Sequence, residues 1–334
     1  MVAAGKDTAS YIEKVRKDLG RSRTKEFSAH NSKAHCVAWN CTGKYIASGS
    51  LDKTAFVQSF KEDRLSKEFS LKGHEDAVDQ IAWHPSDPNM LSTVSTDKTL
   101  RLWDIRTPQK TVACITTKGE VINMTWKSDG STIALGNKDD MVCFVDYKTH
   151  KIIADKQFDF EVNEIGWNNT DEHFYLTSGD SRTGNGSIHI TQYPSLEPLL
   201  QIPAHTAHCI CLKFSPDKQR FATGGADALI NIWDASELSY LTSYSRLEWP
   251  VRTLSFNHDG RLLAAGSEDL VIDIALVETG EKVATVSCNA FPFCVAWHPS
   301  QNLLAYVTDD KSKHNEKHSR DSDKTTGCVK LFGL

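Results

Sequence analysis

Two histidines near the carboxyl end of the sequence have the spacing of a metal site. The stretch at residues 313–321 reads K-H-N-E-K-H-S-R-D and places Glu316 between His314 and His318. A zinc protease carries its glutamate directly after the first histidine on a helix, and a catalytic zinc also needs a third protein ligand. Here the glutamate is displaced, and the surrounding residues 311–326 are dominated by charge. The pattern therefore predicts a solvated loop without a metal.

A second stretch, G-D-S-R-T-G-N-G at residues 179–186, partly resembles a phosphate-binding loop. Such a loop needs Lys and Ser or Thr after its second glycine, followed by a helix. Asn185 and Gly186 stand there instead, and a β-rich run follows, which indicates a long hairpin turn. The sequence has no G-x-S-x-G motif and no nucleophile beside a plausible base. We expect no enzyme activity, no cofactor and no small-molecule substrate.

Short apolar runs that end in an aromatic residue recur along the whole chain. The spacing between successive aromatics is 41 to 47 residues. Each run is followed by a polar turn, a second β-rich run, a turn that often carries Asp, and a third β-rich run. The seven aromatic anchors are Trp39, Trp83, Trp126, Trp167, Phe214, Phe256 and Trp297.

This repeat gives three strands per unit with room for a fourth, and no helical periodicity lies inside it. Strand groups at a period of 40 to 45 residues are typical of β-propellers. The sequence therefore predicts an all-β fold, a seven-bladed propeller.

Two repeats carry the motifs of the WD-repeat family, with G-H or A-H before the anchor and W-D after it. The resemblance implies that His, Asp, Thr and Trp form a buried, hydrogen-bonded set with a structural role. The other five repeats lack the tryptophan, so we expect apolar packing to hold them. The two sets are His74, Thr93, Asp97 and Trp103, and His205, Thr223, Asp227 and Trp233.

The last repeat ends after its third strand, so its outer strand must come from elsewhere. Residues 23–30, R-T-K-E-F-S-A-H, precede the first repeat and can supply it. This clasp would remove an open sheet edge. We therefore assign the propeller to residues 23–334, with a charged insertion at 311–326.

Residues 1–22 form a basic segment outside the predicted ring. Ser10 and Glu13 have the spacing of a helix-capping box, and Gly20 could end a helix. Ile12, Val15 and Leu19 would share one face of it. A solvated tail and a partner-docking helix remain equal alternatives.

Composition limits the classes of function. The net charge of −5 does not favour extensive nucleic-acid binding, and no apolar run is long enough for a membrane span. No signal peptide is visible, so the nine cysteines are expected to be reduced thiols in cytosol or nucleus. Cys36, Cys211 and Cys294 recur three residues before an anchor, which predicts core positions.

A propeller without catalytic groups offers surfaces for binding. The loops that enter repeats four, six and seven carry aromatic residues and an arginine, which are frequent anchors of protein interfaces. We expect them at the rim that bears His74 and Asp97, although some of these aromatics could pack beneath their own loops. The predicted partner-binding residues are Phe160, Trp249, Arg252 and Phe293.

A competing hypothesis comes from the W-D-x-R motif at residues 103–106. It resembles the adaptor-docking motif of WD-repeat substrate receptors of cullin ubiquitin ligases. A third hypothesis is a direct RNA-binding propeller that uses the basic amino-terminal segment.

Beyond the shared WD positions, several stretches carry a more specific resemblance. They are residues 22–27, 78–86, 117–123, 136–140, 160–169, 222–229, 245–260 and 329–334. Through these stretches the chain resembles the THO complex subunit 3 family. The resemblance implies a nuclear scaffold that binds other THO subunits and mRNA export factors, with RNA held mainly by those partners.

Overall fold

The computed structural model of the chain describes residues 2–168, 170–180, 182–309 and 327–334. His314, His318 and the insertion at 311–326 lie outside these residues. Within the described ranges, the chain forms seven four-stranded antiparallel sheets and one helix. The predicted seven-bladed propeller is confirmed, and every blade has a fourth strand.

The strands follow the sequence repeat, and each blade is ordered from the innermost strand to the outermost. Blade one contains β2 (Ala34–Trp39), β3 (Tyr45–Ser50), β4 (Thr54–Lys61) and β5 (Arg64–Lys72). Blade two contains β6 (Val78–Trp83), β7 (Met90–Ser95), β8 (Thr99–Asp104) and β9 (Thr111–Thr116). Blade three contains β10 (Val121–Trp126), β11 (Thr132–Asn137), β12 (Met141–Asp146) and β13 (Lys151–Gln157). Blade four contains β14 (Glu161–Trp167), β15 (His173–Gly179), β16 (Gly186–Gln192) and β17 (Glu197–His205).

The remaining blades complete the circle. Blade five contains β18 (Cys209–Phe214), β19 (Arg220–Gly225), β20 (Ile230–Asp234) and β21 (Tyr240–Tyr244). Blade six contains β22 (Val251–Phe256), β23 (Leu262–Ser267), β24 (Val271–Leu276) and β25 (Lys282–Ser287). Blade seven contains β26 (Pro292–Trp297), β27 (Leu304–Thr308) and β28 (Cys328–Phe332), with β1 (Lys25–Ser28) as its outermost strand.

The predicted clasp is confirmed in blade seven. β1 pairs antiparallel with β28, from Lys25 opposite Leu331 to Ser28 opposite Cys328. The carbonyl of Gly327 accepts the N–H groups of Ala29 and His30 at 3.3 and 3.1 Å. The innermost strands of blades seven and one also contact each other, so the ring is closed.

The second strand of each blade is the most deeply buried. All residues of β7, β11 and β23 are buried, because neighbouring blades cover both faces of these strands. Their sequences accordingly mix aliphatic with small residues instead of alternating apolar and polar ones. Outermost strands such as β13 are largely exposed. The apolar core therefore lies between the blades, in seven clusters around the ring.

One column of side chains on the innermost strands joins each blade to the next. The thiol of Cys211 lies 3.5 Å from the carbonyl oxygen of Val251, and that of Cys294 lies 3.5 Å from that of Val37. In blades three and four the amides of Asn123 and Asn163 donate in the same way. The cysteines that the sequence placed in the core are therefore close to the blade-to-blade contacts; burial raises the pKa of each of these two thiols.

The amino-terminal segment forms a helix, α1 (Val2–Arg21). It begins well before Ser10, so the capping-box spacing of Ser10 and Glu13 does not mark its start. Gly20 lies inside the last turn, and the chain leaves the helix one residue later. Helix ends are set by local backbone groups that many sequences can satisfy, so such boundary signals are weak.

The apolar face of α1 packs on the outside of the ring. Ile12, Val15 and Leu19 are buried in one core cluster with residues of blades six and seven, among them Val283 of β25. Burying aliphatic side chains of this size favours docking by about 1.5–3 kcal/mol each. This face is therefore already occupied within the chain.

Polar contacts anchor α1 to blade six. The Tyr11 hydroxyl donates to Asp259 at 2.9 Å, and its ring lies 3.6 Å from the Arg261 guanidinium. Arg16 forms a 2.7 Å ion pair with Glu281 and donates to the carbonyl of Lys282. Burial, together with the Asp259 carboxylate, raises the pKa of Tyr11 to about 12. These contacts place the helix along β25.

Candidate interaction surface

One end of the ring is formed by the turns that enter each innermost strand and by those that join the second strand to the third. We call this end the His–Asp rim, because in blade two these turns carry His74 and Asp97. The strand order is the same in every blade, so the turns that precede β14, β22 and β26 belong to the same rim. The predicted binding residues lie in or beside those turns.

Below the rim, blade two contains a chain of four hydrogen-bonded side chains. Trp103 Nε1 donates to Thr93 Oγ1 at 2.9 Å, and Thr93 Oγ1 lies 2.7 Å from His74 Nε2. His74 Nδ1 lies 2.7 Å from Asp97 Oδ2. A neutral histidine protonated at Nδ1 satisfies the whole chain, since it donates to Asp97 and accepts the Thr93 proton. A fully satisfied buried network stabilises the fold.

Blade five repeats this geometry. His205 Nδ1 lies 2.9 Å from Asp227 Oδ1, and its Nε2 lies 2.9 Å from Thr223 Oγ1. Trp233 Nε1 donates to Thr223 at 3.0 Å. In both blades the aspartate also accepts a backbone N–H from the turn, which fixes the loop that follows the histidine.

Blade one holds a third set that sequence reasoning missed. His30 Nε2 lies 2.8 Å from Ser48 Oγ, and its Nδ1 lies 3.2 Å from Asp52 Oδ2. Gln58 occupies the place of the tryptophan, and the Phe56 ring packs edge-on against the histidine at 5.5 Å. His30 stands 18 residues before Ser48 and 22 before Asp52, the same intervals as in blade five. That spacing of histidine, hydroxyl and aspartate, rather than the W-D motif, identifies such a set in the sequence.

The blade-two set favours the protonation states that its geometry requires. Burial lowers the pKa of His74, against the opposing effect of Asp97. Burial alone would raise the pKa of Asp97, but hydrogen bonds from Thr99, the Glu75 N–H and His74 outweigh it and lower the pKa. The folded state therefore takes up protons less readily than the unfolded chain at both sites.

We expect acid to destabilise the propeller for this reason. A group whose pKa is depressed on folding stabilises the fold above its unfolded pKa, and that contribution is lost as pH falls through the folded pKa. For His74 the loss begins below pH 6.5, and for Asp97 it begins below pH 3.8. The urea midpoint should be constant above about pH 7 and fall steadily between about pH 6.5 and 4. The His74→Gln variant should have a flatter profile between pH 7 and 5. A midpoint that rises on acidification would contradict this account.

Trp249 is the most exposed of the predicted binding residues. Its side chain is 58% exposed, while its backbone N–H donates to Asp269 and its carbonyl accepts the Ser267 hydroxyl. Leu270, in the facing turn of the same blade, is also exposed. A rigid turn thus presents an apolar side chain to solvent. Binding through this turn loses little conformational entropy, because the backbone of the turn is already ordered.

Arg252 lies at the start of the same blade as Trp249, and Phe293 lies at the start of the next blade. Arg252 is exposed and forms a 2.7 Å ion pair with Glu268 of the neighbouring turn. Phe293, at the start of the next blade, is half-buried between His35 and Phe291, with ring centroids 5.3 and 4.9 Å away. Blades six and seven therefore bring three of the four predicted residues to one sector of the rim.

Phe160 is placed differently. Its ring stacks on His189 of the same blade, with centroids 3.9 Å apart and planes 9° from parallel. It also contacts Phe158. Among the described residues, no ring contact or hydrogen bond joins Phe160 to the blade-six sector. The Phe160 ring therefore packs within its own blade, and its role in partner binding stays a prediction.

The sequence that forms this ring matches a known protein family. Residues 30–307 match the protein family described as the THOC3 beta-propeller domain. The chain belongs to the THOC3 beta-propeller family. The resemblance to THO complex subunit 3 drawn from the sequence is confirmed.

Three relatives of this THOC3-family chain each align with 85% or more of its length. THO complex subunit 3 of Arabidopsis thaliana is 43% identical over 313 residues, 93% of this chain and 95% of the relative. WD repeat-containing protein AAC3 of Dictyostelium discoideum is 26% identical over 317 residues, 89% of this chain and 66% of the relative. The WD repeat-containing protein WDS homolog of Arabidopsis thaliana is 24% identical over 302 residues, which are 85% of this chain and 55% of the relative. The more distant relatives share the WD-repeat description.

Other motifs in this THOC3-family propeller have structural positions. In the stretch at 179–186, Gly179 ends β15 and Gly186 begins β16, and the Asp180 carbonyl accepts the Gly184 N–H between these two strands. In the W-D-x-R motif, Trp103 is buried, and exposed Arg106 binds the Asp104 carboxylate through two nitrogens. The motif begins in the last two residues of the third strand, β8, and continues into the turn that follows, at the end of the ring opposite the His–Asp rim.

The described part of the chain also shows how its metal-ligating side chains and its helical segments are arranged. There, no three His, Cys, Asp or Glu side chains lie close enough together to hold a metal ion. None of the helical segments in the same residues has the length and apolarity that crossing a bilayer requires.

Proposed function

We propose that this chain is a non-enzymatic scaffold of the THO complex that acts in co-transcriptional messenger ribonucleoprotein assembly and nuclear mRNA export. The observation that carries the proposal is the 43% identity to a THO complex subunit 3 across 93% of the chain. Its location would be the nucleus, and its partners would be other THO subunits and export factors. No membrane and no small-molecule substrate enters this function.

The His–Asp rim is the surface through which we propose that it binds these partners. Trp249 offers a large exposed ring on a turn that Asp269 and Ser267 hold in place. Arg252 follows it in the same blade and Phe293 begins the next blade, and tryptophan and arginine are enriched among residues that dominate interface energies. Phe160, stacked on His189, would contribute at the edge of this surface or through its loop.

RNA, in this proposal, is held mainly by the partner subunits. The chain carries a net charge of −5, and Arg16 of the basic segment is paired with Glu281. A filter-binding assay with the isolated full chain and single-stranded RNA tests this point. Binding that is tight at 50 mM salt and lost at 200 mM would instead support direct phosphate contacts.

Replacing Trp249 with alanine should weaken capture of THO subunits without unfolding the ring. Truncation of a central aromatic anchor typically costs 2 kcal/mol or more, which corresponds to a loss of about thirtyfold in affinity. The measurement is co-purification of the tagged chain from nuclear extract with quantitative mass spectrometry, followed by titration of the recovered subunits. Phe293→Ala should act in the same direction.

Arg106→Ala is the matched control, since Arg106 is exposed at the opposite end of the ring. It should leave THO capture unchanged. If cullin adaptor proteins were recovered instead, and were lost in Arg106→Ala, the ubiquitin-ligase alternative would replace this proposal. Recovery of no THO subunit by the unmodified chain would also overturn it.

A further inference from the structure

The outermost strands of six blades share an irregularity at one position. Where each pairs with the third strand of its blade, one extra residue interrupts the register and forms a β-bulge. Comparing the six registers places these extra residues at equivalent sites around the ring. They are Glu68, Val112, Ile153, Leu199, Leu241 and Val283.

Five of these six equivalent residues are aliphatic, and four of them are open to solvent. Val112, Ile153, Leu199 and Leu241 are 46–51% exposed. Single exposed aliphatic residues are ordinary on protein surfaces, but recurrence at one structural position in four successive blades is not random scatter. We call this series the bulge belt.

The fifth aliphatic residue, Val283, is buried, and its contacts show which kind of element can cover a bulge position. Val283 of blade six is 8% exposed, because α1 lies along β25 and packs Ile12, Val15 and Leu19 into the same cluster. Arg16, one residue after Val15, pairs with Glu281 at the start of the same outer strand. An amphipathic helix with apolar residues at i, i+3 and i+7 and a cation at i+4 therefore fits this site.

Blade four offers the nearest copy of the blade-six site. Leu199 is followed by Leu200, which is also about half exposed. The registers place Glu197 at the position of Glu281, and its side chain is 69% exposed with Lys156 3.3 Å away. Blade four therefore repeats the acidic residue and the neighbouring aliphatic residues of the blade-six site.

A cavity of about 390 Å³ adjoins these residues, between the outer strands of blades three and four. It can accept an apolar side chain from an incoming segment. Its lining includes Phe158, Phe160, Leu196, Leu199 and Leu200.

The same strand is a poor site for an added β-strand. Pro198 and Pro203 of β17 have no N–H to donate, and the bulge at Leu199 twists the edge. Both features are devices by which proteins block edge-to-edge strand pairing. A helix that contacts side chains avoids this obstacle.

We propose that the outer strand of blade four binds an amphipathic helix of a THO partner subunit, in the way that α1 lies on blade six. The helix would carry apolar residues at i, i+3 and i+7 for Leu199 and Leu200, and Arg or Lys at i+4 for Glu197. This proposal rests on the proposed function, since the partner is a subunit of the same complex. It adds a second interface on the outside of the ring, which meets the His–Asp rim at Phe160.

Site-specific photocrosslinking in the assembled complex tests the proposal. The full chain with the substitution Leu199→p-benzoylphenylalanine is co-expressed with the other THO subunits, irradiated, and analysed by mass spectrometry. The expected product joins position 199 to a helical segment of another subunit with the stated spacing. The same photoreactive substitution at Glu68, the polar member of the six, is the matched control and should give no such product.

Two charge variants complete the test. Leu199→Glu with Leu200→Glu should reduce co-purification of the crosslinked subunit at least about tenfold, because two aliphatic contacts are lost. Glu197→Lys should reduce it severalfold, and reversing the partner's cation to Glu should restore it. All three changed side chains are exposed, so the melting temperature should stay that of the unmodified chain.

The outcomes separate this proposal from the proposed function. If THO subunits co-purify but position 199 crosslinks to none of them, to a non-helical segment, or to α1 of a second copy, only the blade-four site is wrong. Unchanged co-purification of the double leucine variant overturns it equally. If no THO subunit co-purifies with the unmodified chain, the proposed function fails and this proposal fails with it.

Discussion

Replacing Trp103 with alanine is expected to lower the free energy of unfolding by about 3–5 kcal/mol, the range for removing a buried large aromatic side chain. Trp103 is 1% exposed and packs in the core cluster between blades one and two. Its removal would leave a cavity and also take the donor from Thr93 Oγ1. Urea unfolding followed by circular dichroism at pH 7.5 measures the effect.

Two variants isolate the causes of that loss. Trp249→Ala removes an equally large side chain from the surface and should change the free energy of unfolding by no more than about 0.5 kcal/mol. Trp103→Phe retains most of the apolar volume but not the N–H donor, and should cost about 1–3 kcal/mol. If Trp103→Ala and Trp249→Ala fell within 1 kcal/mol of each other, the buried set would not have the structural role assigned here.

The fold could be predicted from the sequence because every blade has the same strand order and packs against its neighbours in the same way. An aromatic anchor such as Trp83 or Trp126 ends every innermost strand, and the next strand must be buried on both faces. These demands restrict residue type at fixed intervals, so the repeat is visible without a structure. The clasp was predicted by counting strands, since the sequence of the seventh repeat contains only three β-rich runs.

The hydrogen-bonded set of blade one was not predicted, because this blade lacks the tryptophan of the W-D motif. In blade one, Gln58 stands where Trp103 stands in blade two, yet His30 still bonds Ser48 and Asp52. The histidine, hydroxyl and aspartate are therefore the constant part of the set. The tryptophan adds a donor and packing volume, so its absence does not mean that a blade is held by apolar contacts alone.

The exposure of the rim aromatics could not be read from the sequence. Phe160 and Trp249 both precede an innermost strand, but Phe160 stacks on His189, a residue of another strand. The corresponding part of blade six offers no such ring to Trp249. Burial of a loop side chain depends on distant residues, and local pattern carries no information about them.

The role of the amino-terminal segment depends on long-range contacts in the same way. The apolar spacing of Ile12, Val15 and Leu19 predicts a helix face but not what covers it. In the structure this face packs on blade six of the same chain, and contacts of Arg16 and Tyr11 fix the orientation of the helix. The segment that looked like a candidate partner helix instead shows, within one molecule, how a helix can lie on the outer strand of a blade.

The closure of the ring should be most sensitive to a single methyl group at Gly327. This residue has a φ of +70°, and a Cβ there would lie 2.0 Å from the carbonyl oxygen of Ser32 and 2.8 Å from Cβ of His30. Its carbonyl also accepts the two N–H groups that lead from β1 into blade one. Gly327→Ala therefore combines left-handed backbone strain with a clash against backbone, at the seam that closes the propeller. We expect a loss of roughly 2–5 kcal/mol in the free energy of unfolding.

Gly184 provides a matched control for this effect. It has nearly the same backbone conformation, with a φ of +76°, but no atom lies within 4 Å of an added Cβ. Gly184→Ala should cost only the backbone strain, about 1–2 kcal/mol. Because the clash in Gly327→Ala separates β1 from β28, limited proteolysis should cleave that variant near residue 28 before the ring unfolds, and should leave Gly184→Ala intact. Equal stability of the two variants would mean that the seam relaxes without opening, and that β1 is not held as tightly as its contacts indicate.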